Sequence, residues 1–393
     1  MSRFPGVDLL ELDALLSEEE RLVRDTVRSF VDDKVKPIIE ECHRDARTPL
    51  ELVPEMGALN LFGASLSDYG LPGLGGVAYG LIMQELERGD SGLRSFVSVQ
   101  SSLVMYPIHS FGSPEQRDRW IPRLASGEAI GCYALTEEGA GSDVSAIATR
   151  ARREGDTWIL DGDKTWITNG NIAQLALVFA RTGDGPAREA LTCFVVELPV
   201  SGLMALPLGV QPLGHRAADH ARLQLRSVRV PDAQRLGAVG GGNAIAMSAL
   251  DHGRLGVAAG AVGLLRGCLD AVLAHARERK QFGHRIGDFQ MVQADIADMS
   301  SEGEAAAALV LTAARAADAR DPHVRRLTSS AKLFATEAAQ RAADKAVLLL
   351  GNRGYGDGWP VERHYRDIQG LRIYEGTNHI HRLIIARQLL GPP

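Results

Sequence analysis

Three long alanine-rich segments, 243–279, 289–319 and 325–350, constrain this chain more than anything else in it. Alanine is the best helix former, so each run predicts a long helix that must bury a face against its neighbours. Asp321-Pro322 breaks the last two apart. A block of opposite character precedes them. Segments 131–135, 145–152, 157–161, 174–181, 190–198 and 221–229 are short, β-branched or alternating. Glu154-Gly155-Asp156 and Asp161-Gly162-Asp163 read as turns between them, so the block predicts short antiparallel strands. Upstream the pattern is helical again. Ser17 and Glu20 have capping-box spacing, and Leu22, Val23, Val27, Phe30, Val31, Val35 and Ile38 follow a 3.6 period, which predicts a helix over 17–45. Further helices are expected over 50–64, 77–88 and 114–126, with a Gly- and Pro-rich loop over 68–76.

The order helical, β, helical defines an α+β chain. It divides into an N-terminal helical domain (1–130), a middle antiparallel β-domain (131–239) and a C-terminal helical-bundle domain (240–393). A length of 393 residues gives it ample core. A net charge of −6, with Lys and Arg dispersed, argues against a nucleic-acid footprint or a polybasic membrane patch. Cys42, Cys132, Cys193 and Cys268 are far apart and form no CxxC pair, so neither a disulfide framework nor a zinc site is expected. His379 and His381 are two apart, not at the i,i+4 ligand spacing, and no metal is expected. The first residues show no secretory or transit pattern, and no run of about 18 apolar residues is apparent. A cytoplasmic protein without membrane insertion is the expectation.

Four stretches can carry chemistry. Tyr374-Glu375-Gly376-Thr377 sets an acid between an aromatic and a glycine, just before an apolar helix that Thr377 or Asn378 can cap. It is either a solvated surface loop or a positioned general base. Arg94 enters a largely apolar segment with Glu87 upstream. A guanidinium there needs a partner, either internally in Glu87 or Asp90, or in a ligand carboxylate. Thr136 to Asp143 is a plain turn or an anion-binding loop, and it is not the GxGxxG of a Rossmann unit. Trp166 and Thr168, two apart on a strand, share one face; they suit either a core or a flat ring with a polar edge.

The motifs in their order resemble the acyl-CoA dehydrogenase family over nearly the whole length. The matching stretches are Tyr133-Ala134-Leu135-Thr136-Glu137 with Gly141-Ser142-Asp143, Lys164 to Asn169, Arg279-Lys280-Gln281-Phe282-Gly283, Asp288-Phe289-Gln290, and Tyr374 to Thr377. Glu85 to Arg88, Arg94-Ser95 and Ser98 to Met105 resemble the substrate-tail segment of the glutaryl-CoA dehydrogenases within it.

The resemblance implies a C-terminal four-helix bundle, an FAD cofactor between the β-domain and the C-terminal helices, and a homotetramer that passes electrons to electron-transfer flavoprotein. It implies Glu375 as the base that removes an α-proton, with Gly376 and Tyr374 at the substrate. Glu87, Arg94, Ser95 and Ser98 would meet the far carboxylate of a substrate such as glutaryl-CoA, oxidised and decarboxylated to crotonyl-CoA in amino-acid catabolism. Ser142, Ser248 and Arg254 would line the thioester channel. Tyr133, Leu135, Thr136, Gly141, Ser142, Trp166, Ile167 and Thr168 would contact the FAD. Arg279, Phe282, Gln290, Leu348, Gly351, Asn352, Thr377 and His379 would complete that site, Arg279 and Gln290 acting on the FAD of a partner subunit. Some relatives carry their base one position before Arg254. That position is Gly253 here, which leaves the role to Glu375. A dehydrogenase of acyl chains held on a carrier protein, or a non-decarboxylating short-chain acyl-CoA dehydrogenase, is the alternative on the same fold.

Overall fold

The computed structural model describes residues 6–391. Helix α1 (Glu18–Phe30) opens on the expected capping box, with Ser17 and Glu20 each bonding the other's backbone N–H. A π-helical turn at Val31–Val35 joins it to α2 (Lys36–Arg44), so the predicted helix is one rod with a wide turn inside. Helix α3 covers only Val53–Ala58, less than the predicted 50–64, because Asn60 and Gly63 take left-handed backbone (φ 54° and 71°). Helices α4 (Gly76–Gly89) and α5 (Ser91–Ser98) follow. A further π-helical segment, Val99–Met105, leads into α6 (Tyr106–Phe111), and α7 (Pro114–Ser126) starts on Pro114 as expected.

The middle block forms one eight-stranded sheet: β1 (Gly131–Ala134), β2 (Arg150–Glu154), β3 (Thr157–Thr168), β4 (Leu175–Arg181), β5 (Leu191–Glu197), β6 (Leu203–Pro207), β7 (His220–Pro231) and β8 (Arg235–Leu236). The short helix α8 (Ala187–Ala190) lies between β4 and β5. The order is β6-β7-β3-β2-β4-β5-β8, with β1 beside β4. The expected antiparallel sheet is in fact mixed, since β1 runs parallel to β4 from Gly131↔Leu175 to Ala134↔Val178. Asp161-Gly162-Asp163 is not a turn but lies inside β3, where the register against β7 shifts. A Cβ on Gly162 would sit 2.3 Å from Thr149 Oγ1, so this turn-like composition serves a bulge at a close approach. Of the predicted 145–152 strand only the end is extended, after a 3₁₀ turn at Val144–Ala146. Strand β6 escaped the sequence reading: it is an edge strand, mostly exposed, with no inside–outside alternation.

The C-terminal part is built on α9 (Gly242–Glu278), α10 (Gln290–Asp318) and α11 (Val324–Leu350), with a small hairpin of β9 (Lys280–Gln281) and β10 (His284–Arg285) between the first two. Helices α12 (Asn352–Tyr355), α13 (Pro360–Leu371) and α14 (Asn378–Leu390) complete it. Helix α9 is central, touching α4, α10, α11 and α13. It also corrects the expectation that no segment is long and apolar enough to cross a membrane. An 18-residue window of α9 has mean hydropathy 1.7, and 67% of that window is buried inside the protein. The apolar length belongs to a helix enclosed by other helices.

Candidate active site

The chain between α13 and α14 carries two successive left-handed residues, Glu375 (φ 57°) and Gly376 (φ 90°). For a glutamate that conformation is uncommon, and its surroundings hold it. Arg254 Nε donates to the Glu375 carbonyl at 3.3 Å, and Lys332 Nζ donates to the Gly376 carbonyl at 2.8 Å and to Asn378 Oδ1 at 3.1 Å. The Thr377 side chain caps α14 by accepting from Ile380 N–H. So fixed, the Glu375 carboxylate lies against α9 at Gly253, where a Cβ would come 2.5 Å from Oε1. A side chain at 253 would push the carboxylate out of this position. Oε2 is buried without a partner. Burial raises the Glu375 pKa to about 7, while Arg254, Arg94 and Lys332 pull it back and Asp251 pushes it further up.

The same face of α9 continues as glycines. A Cβ on Gly256 would press on the Tyr79 hydroxyl at 3.0 Å, and one on Gly260 would meet Glu87 Oε2 at 2.8 Å and Arg94 Nε at 3.3 Å. The groove thereby houses buried polar groups from α4 and α5. Arg94 Nε donates to Glu87, and its Nη2 donates to the Tyr374 hydroxyl. Of the two internal partners open to Arg94, it takes Glu87; Asp90 instead caps α5 through Leu93 N–H at 2.9 Å. Pairing inside and facing a ligand are compatible here, because the pair sits beside Tyr374, the neighbour of Glu375. Ser95 and Ser98 are buried on the same helix, and Ser95 Oγ lies 3.3 Å from His215 Nδ1. Tyr79 bonds Ser102 at 2.6 Å.

Further along α9, Ser248 bonds the Tyr106 hydroxyl at 2.8 Å. Tyr106 stacks on His252 at 4.7 Å, and burial lowers the His252 pKa to about 4. From the sheet, Tyr133 and Leu135 are buried and Thr136 half-buried at the end of β1, while Gly141 and Ser142 are exposed in the turn beyond. That turn is anchored by Glu137, which accepts from Lys164 Nζ at 2.7 Å and Thr149 Oγ1 at 2.5 Å. On β3, Ile167 is buried, whereas Trp166 (φ 56°) keeps half its surface open and Thr168 lies 3.2 Å from His220 Nδ1. Among the described residues no group of His, Cys, Asp and Glu is clustered to hold a metal ion.

The remaining cofactor candidates are not brought to Glu375. Arg279, Phe282, Gln290, Leu348, Gly351, Asn352 and His379 are exposed. Arg279 caps the far end of α9, roughly 37 Å from Arg254 at a helical rise of about 1.5 Å per residue. Phe282 stands 91% exposed and Leu348 73%. Only His379, at the start of α14, adjoins the Glu375 loop.

Sequence reasoning missed Tyr79, His215, Lys332 and the glycines at 256 and 260. The spacing Gly253-x2-Gly256-x3-Gly260 on one helix face was a signal for the groove. His215 and Lys332 carried none, being single polar residues in a loop and an Ala-rich helix.

Three family models match the chain: acyl-CoA dehydrogenase, N-terminal domain, over 17–128; middle domain over 132–228; and C-terminal domain over 240–390. The chain is 38% identical over 376 residues to the short-chain specific acyl-CoA dehydrogenase of Homo sapiens mitochondria, covering 95% of this chain and 91% of that one. A crystal structure of glutaryl-CoA dehydrogenase from Mycobacterium smegmatis superposes with a TM-score of 0.92 at 43% identity, covering 98% of each chain. Another glutaryl-CoA dehydrogenase of that organism, in complex with FADH2, gives 0.94 at 38% identity and 99% coverage of both. The chain belongs to the acyl-CoA dehydrogenase family and is an FAD-dependent acyl-CoA dehydrogenase.

The residues fit a flavin. Tyr133 Oη and Glu375 Oε2 are both buried without partners, one from the sheet and one from the C-terminal loop, and the Tyr133 hydroxyl is close enough to feel the Glu375 charge. The half-open Trp166 indole stands edge-on to His220, whose ring Thr168 also meets, so a flat face and polar groups lie together there.

Proposed function

We propose that this chain dehydrogenates a short acyl-CoA bearing a distal carboxylate, with glutaryl-CoA as the substrate and crotonyl-CoA and CO2 as the products. The observation that carries the reading is the buried Arg94, tied to Glu87 and Tyr374 in the same groove that holds Glu375. A carboxylate on the acyl tail would give the buried Arg94 guanidinium a second anionic partner beside Glu87. Relatives named for glutaryl-CoA and for short-chain acyl-CoA stand at similar identity, so the choice between them rests on this network.

Glu375 accepts the α-proton of the thioester, and its pKa near 7 lets it take the proton and keep it. The backbone at Gly376, fixed by Lys332, orients the loop at the thioester. Bound FAD supplies the acceptor for the β-hydride. Arg94 holds the distal carboxylate, with Ser95 and Ser98 beside it; once CO2 leaves, the proton on Glu375 returns to the carbon chain. Ser142, Ser248 and Arg254 serve the CoA arm. Arg279, Phe282, Gln290, Leu348, Gly351 and Asn352, exposed and remote from Glu375, serve the FAD of a second copy in a homotetramer. The electrons then pass to an acceptor, for which we propose electron-transfer flavoprotein.

The test is anaerobic flavin bleaching with a panel of mono- and dicarboxylic acyl-CoA thioesters, with CO2 measured on turnover. Bleaching by butyryl-CoA but not glutaryl-CoA overturns the dicarboxylate reading. Bleaching by glutaryl-CoA without CO2 overturns the decarboxylation.

A further inference from the structure

Tyr79 is buried on α4 and reaches the glycine face of α9. A Cβ on Gly256 would lie 3.0 Å from its hydroxyl and 3.2 Å from its ring carbon Cε1, so the ring fills the space that the glycine leaves. The hydroxyl shares a hydrogen bond with Ser102 Oγ at 2.6 Å. The His252 ring lies 5.5 Å from the Tyr79 ring and is itself stacked on Tyr106. Burial raises the Tyr79 pKa, while the charge of Arg94 lowers it and that of Glu375 raises it further. Tyr79 is therefore a neutral ring, held by α9, Ser102 and His252, within electrostatic reach of both charged groups of the site.

Its place along α9 gives it a task. Gly253, Gly256 and Gly260 are three and four residues apart and share one face. Each yields its space to a different group: Glu375 at 253, Tyr79 at 256, and Glu87 with Arg94 at 260. At a rise of about 1.5 Å per residue, Tyr79 stands roughly 4–5 Å along the helix from the Glu375 carboxylate and roughly 6 Å short of the Glu87–Arg94 pair. With the CoA arm toward Ser248, an acyl chain whose α-carbon meets Glu375 runs on toward Gly260 and passes Tyr79 with its next carbons. We infer that Tyr79 is a specificity-determining residue: its ring, backed by α9 at Gly256, walls the groove beside the β-carbon, so that the site accepts a straight acyl chain and rejects one with a methyl branch there. This rests on the reading above of Glu375 as the base and of the Ser248 side as the CoA end, and not on the carboxylate at the far end of the chain.

The FAD-loaded enzyme is assayed for kcat/KM with straight and β-methyl-branched pairs, glutaryl-CoA against 3-methylglutaryl-CoA and butyryl-CoA against isovaleryl-CoA. One extra carbon against a fixed apolar wall is worth roughly 10–200-fold, so the parent should favour the straight member of a pair at least about tenfold. Tyr79→Leu should cut that preference about tenfold, and Tyr79→Phe, which keeps the ring, should hold it within about twofold. Gly256→Ala acts in the opposite sense. Its Cβ makes the ring yield by a few tenths of an ångström, and with Ser102 and His252 behind the ring the movement goes into the groove. The branched member should then lose a further few-fold. The same Ala in the Tyr79→Leu background, where Met83 alone remains to be moved, should change the ratio less than about twofold. A preference unchanged in Tyr79→Leu overturns the inference, as does one lost equally in Tyr79→Phe, since the hydroxyl would then be at work. Should Tyr79→Leu not fold, Gly256→Ala decides, and a parent-like ratio there overturns the inference too. A parent that bleaches with butyryl-CoA and not glutaryl-CoA overturns the dicarboxylate reading alone, and the second pair still tests the wall. A Glu375→Gln enzyme that bleaches at the parent rate overturns the base and the wall together.

Discussion

The middle of α9 and its C-terminal end are built on opposite principles. Around Gly253 to Gly260 the helix gives up side chains so that polar groups from α4, α5 and the Glu375 loop can be buried together, Arg94 paired with Glu87 and the Glu375 carboxylate left without a partner. Around Arg279 the chain exposes large apolar and basic groups, Phe282 at 91% and Met291 at 84% among them. The glycine-lined middle is organised within one chain. The Arg279 end faces outward, and its residue types suit contact with something the single chain does not supply. The contrast separates the residues proposed for chemistry from those proposed for retaining a cofactor, and substitutions can test the separation.

The largest effect is expected at Glu375. Glu375→Gln keeps the shape and the yellow flavin but removes the base, so substrate bleaching should slow at least about 10³-fold. Bleaching at the parent rate would remove Glu375 from the reaction. The same variant carries a pH signature. Because the folded-state pKa is raised, the parent loses stability as pH rises from its unfolded value near 4.5 through about 7. Gln has no such loss. The variant should therefore be more heat-stable at pH 8, by on the order of 3 kcal/mol, with the gap closing as pH falls toward 4.5. Next comes Arg94→Gln, which should cut kcat/KM for glutaryl-CoA about 10²-fold while leaving butyryl-CoA little changed. Equal losses on both would make the buried pair a matter of folding alone.

At the outward end, Arg279→Gln should weaken FAD retention about tenfold, read by dilution and fluorescence of released flavin, while bleaching per bound flavin stays at the parent rate. A change in that rate with unaltered retention would join the two regions that the geometry separates.

Much of this was legible in the sequence, for physical reasons. Long Ala-rich helices and β-branched strands announce themselves through periodicity, and α7, α9, α10 and α11 lie within a residue or two of expectation. Glu375 could be singled out because its neighbours, an aromatic, a glycine and a capping Thr, already describe a shaped loop. The failures share a cause: a local signal was reused for a nonlocal purpose. Asp161-Gly162-Asp163 spells a turn but serves a bulge at which Thr149 crowds the backbone. Strand β1 pairs in parallel with a strand some forty residues on, which no alternation pattern encodes. His215 and Lys332 act through contacts with residues more than 40 positions away, and nothing beside them in the chain foretells it.

The smallest effect tests Lys332, whose amine is buried against the Gly376 carbonyl and Asn378. Burial lowers its pKa to about 7, with the charge of Glu375 opposing, so near neutrality it carries only part of a charge. That partial charge is one of three holding the Glu375 pKa down, after Arg254 and Arg94. Lys332→Met removes it, so the Glu375 pKa rises by a fraction of a unit and less of the base is ionised below it. Bleaching at pH 6.5 should fall a few-fold, and the parent and variant profiles should merge above about pH 9, where Lys332 is neutral in the parent as well. A profile displaced toward lower pH would show that the amine does not act on Glu375 through charge. A uniform drop at every pH would assign Lys332 to the loop's backbone geometry instead, with the Gly376 carbonyl as the contact that matters.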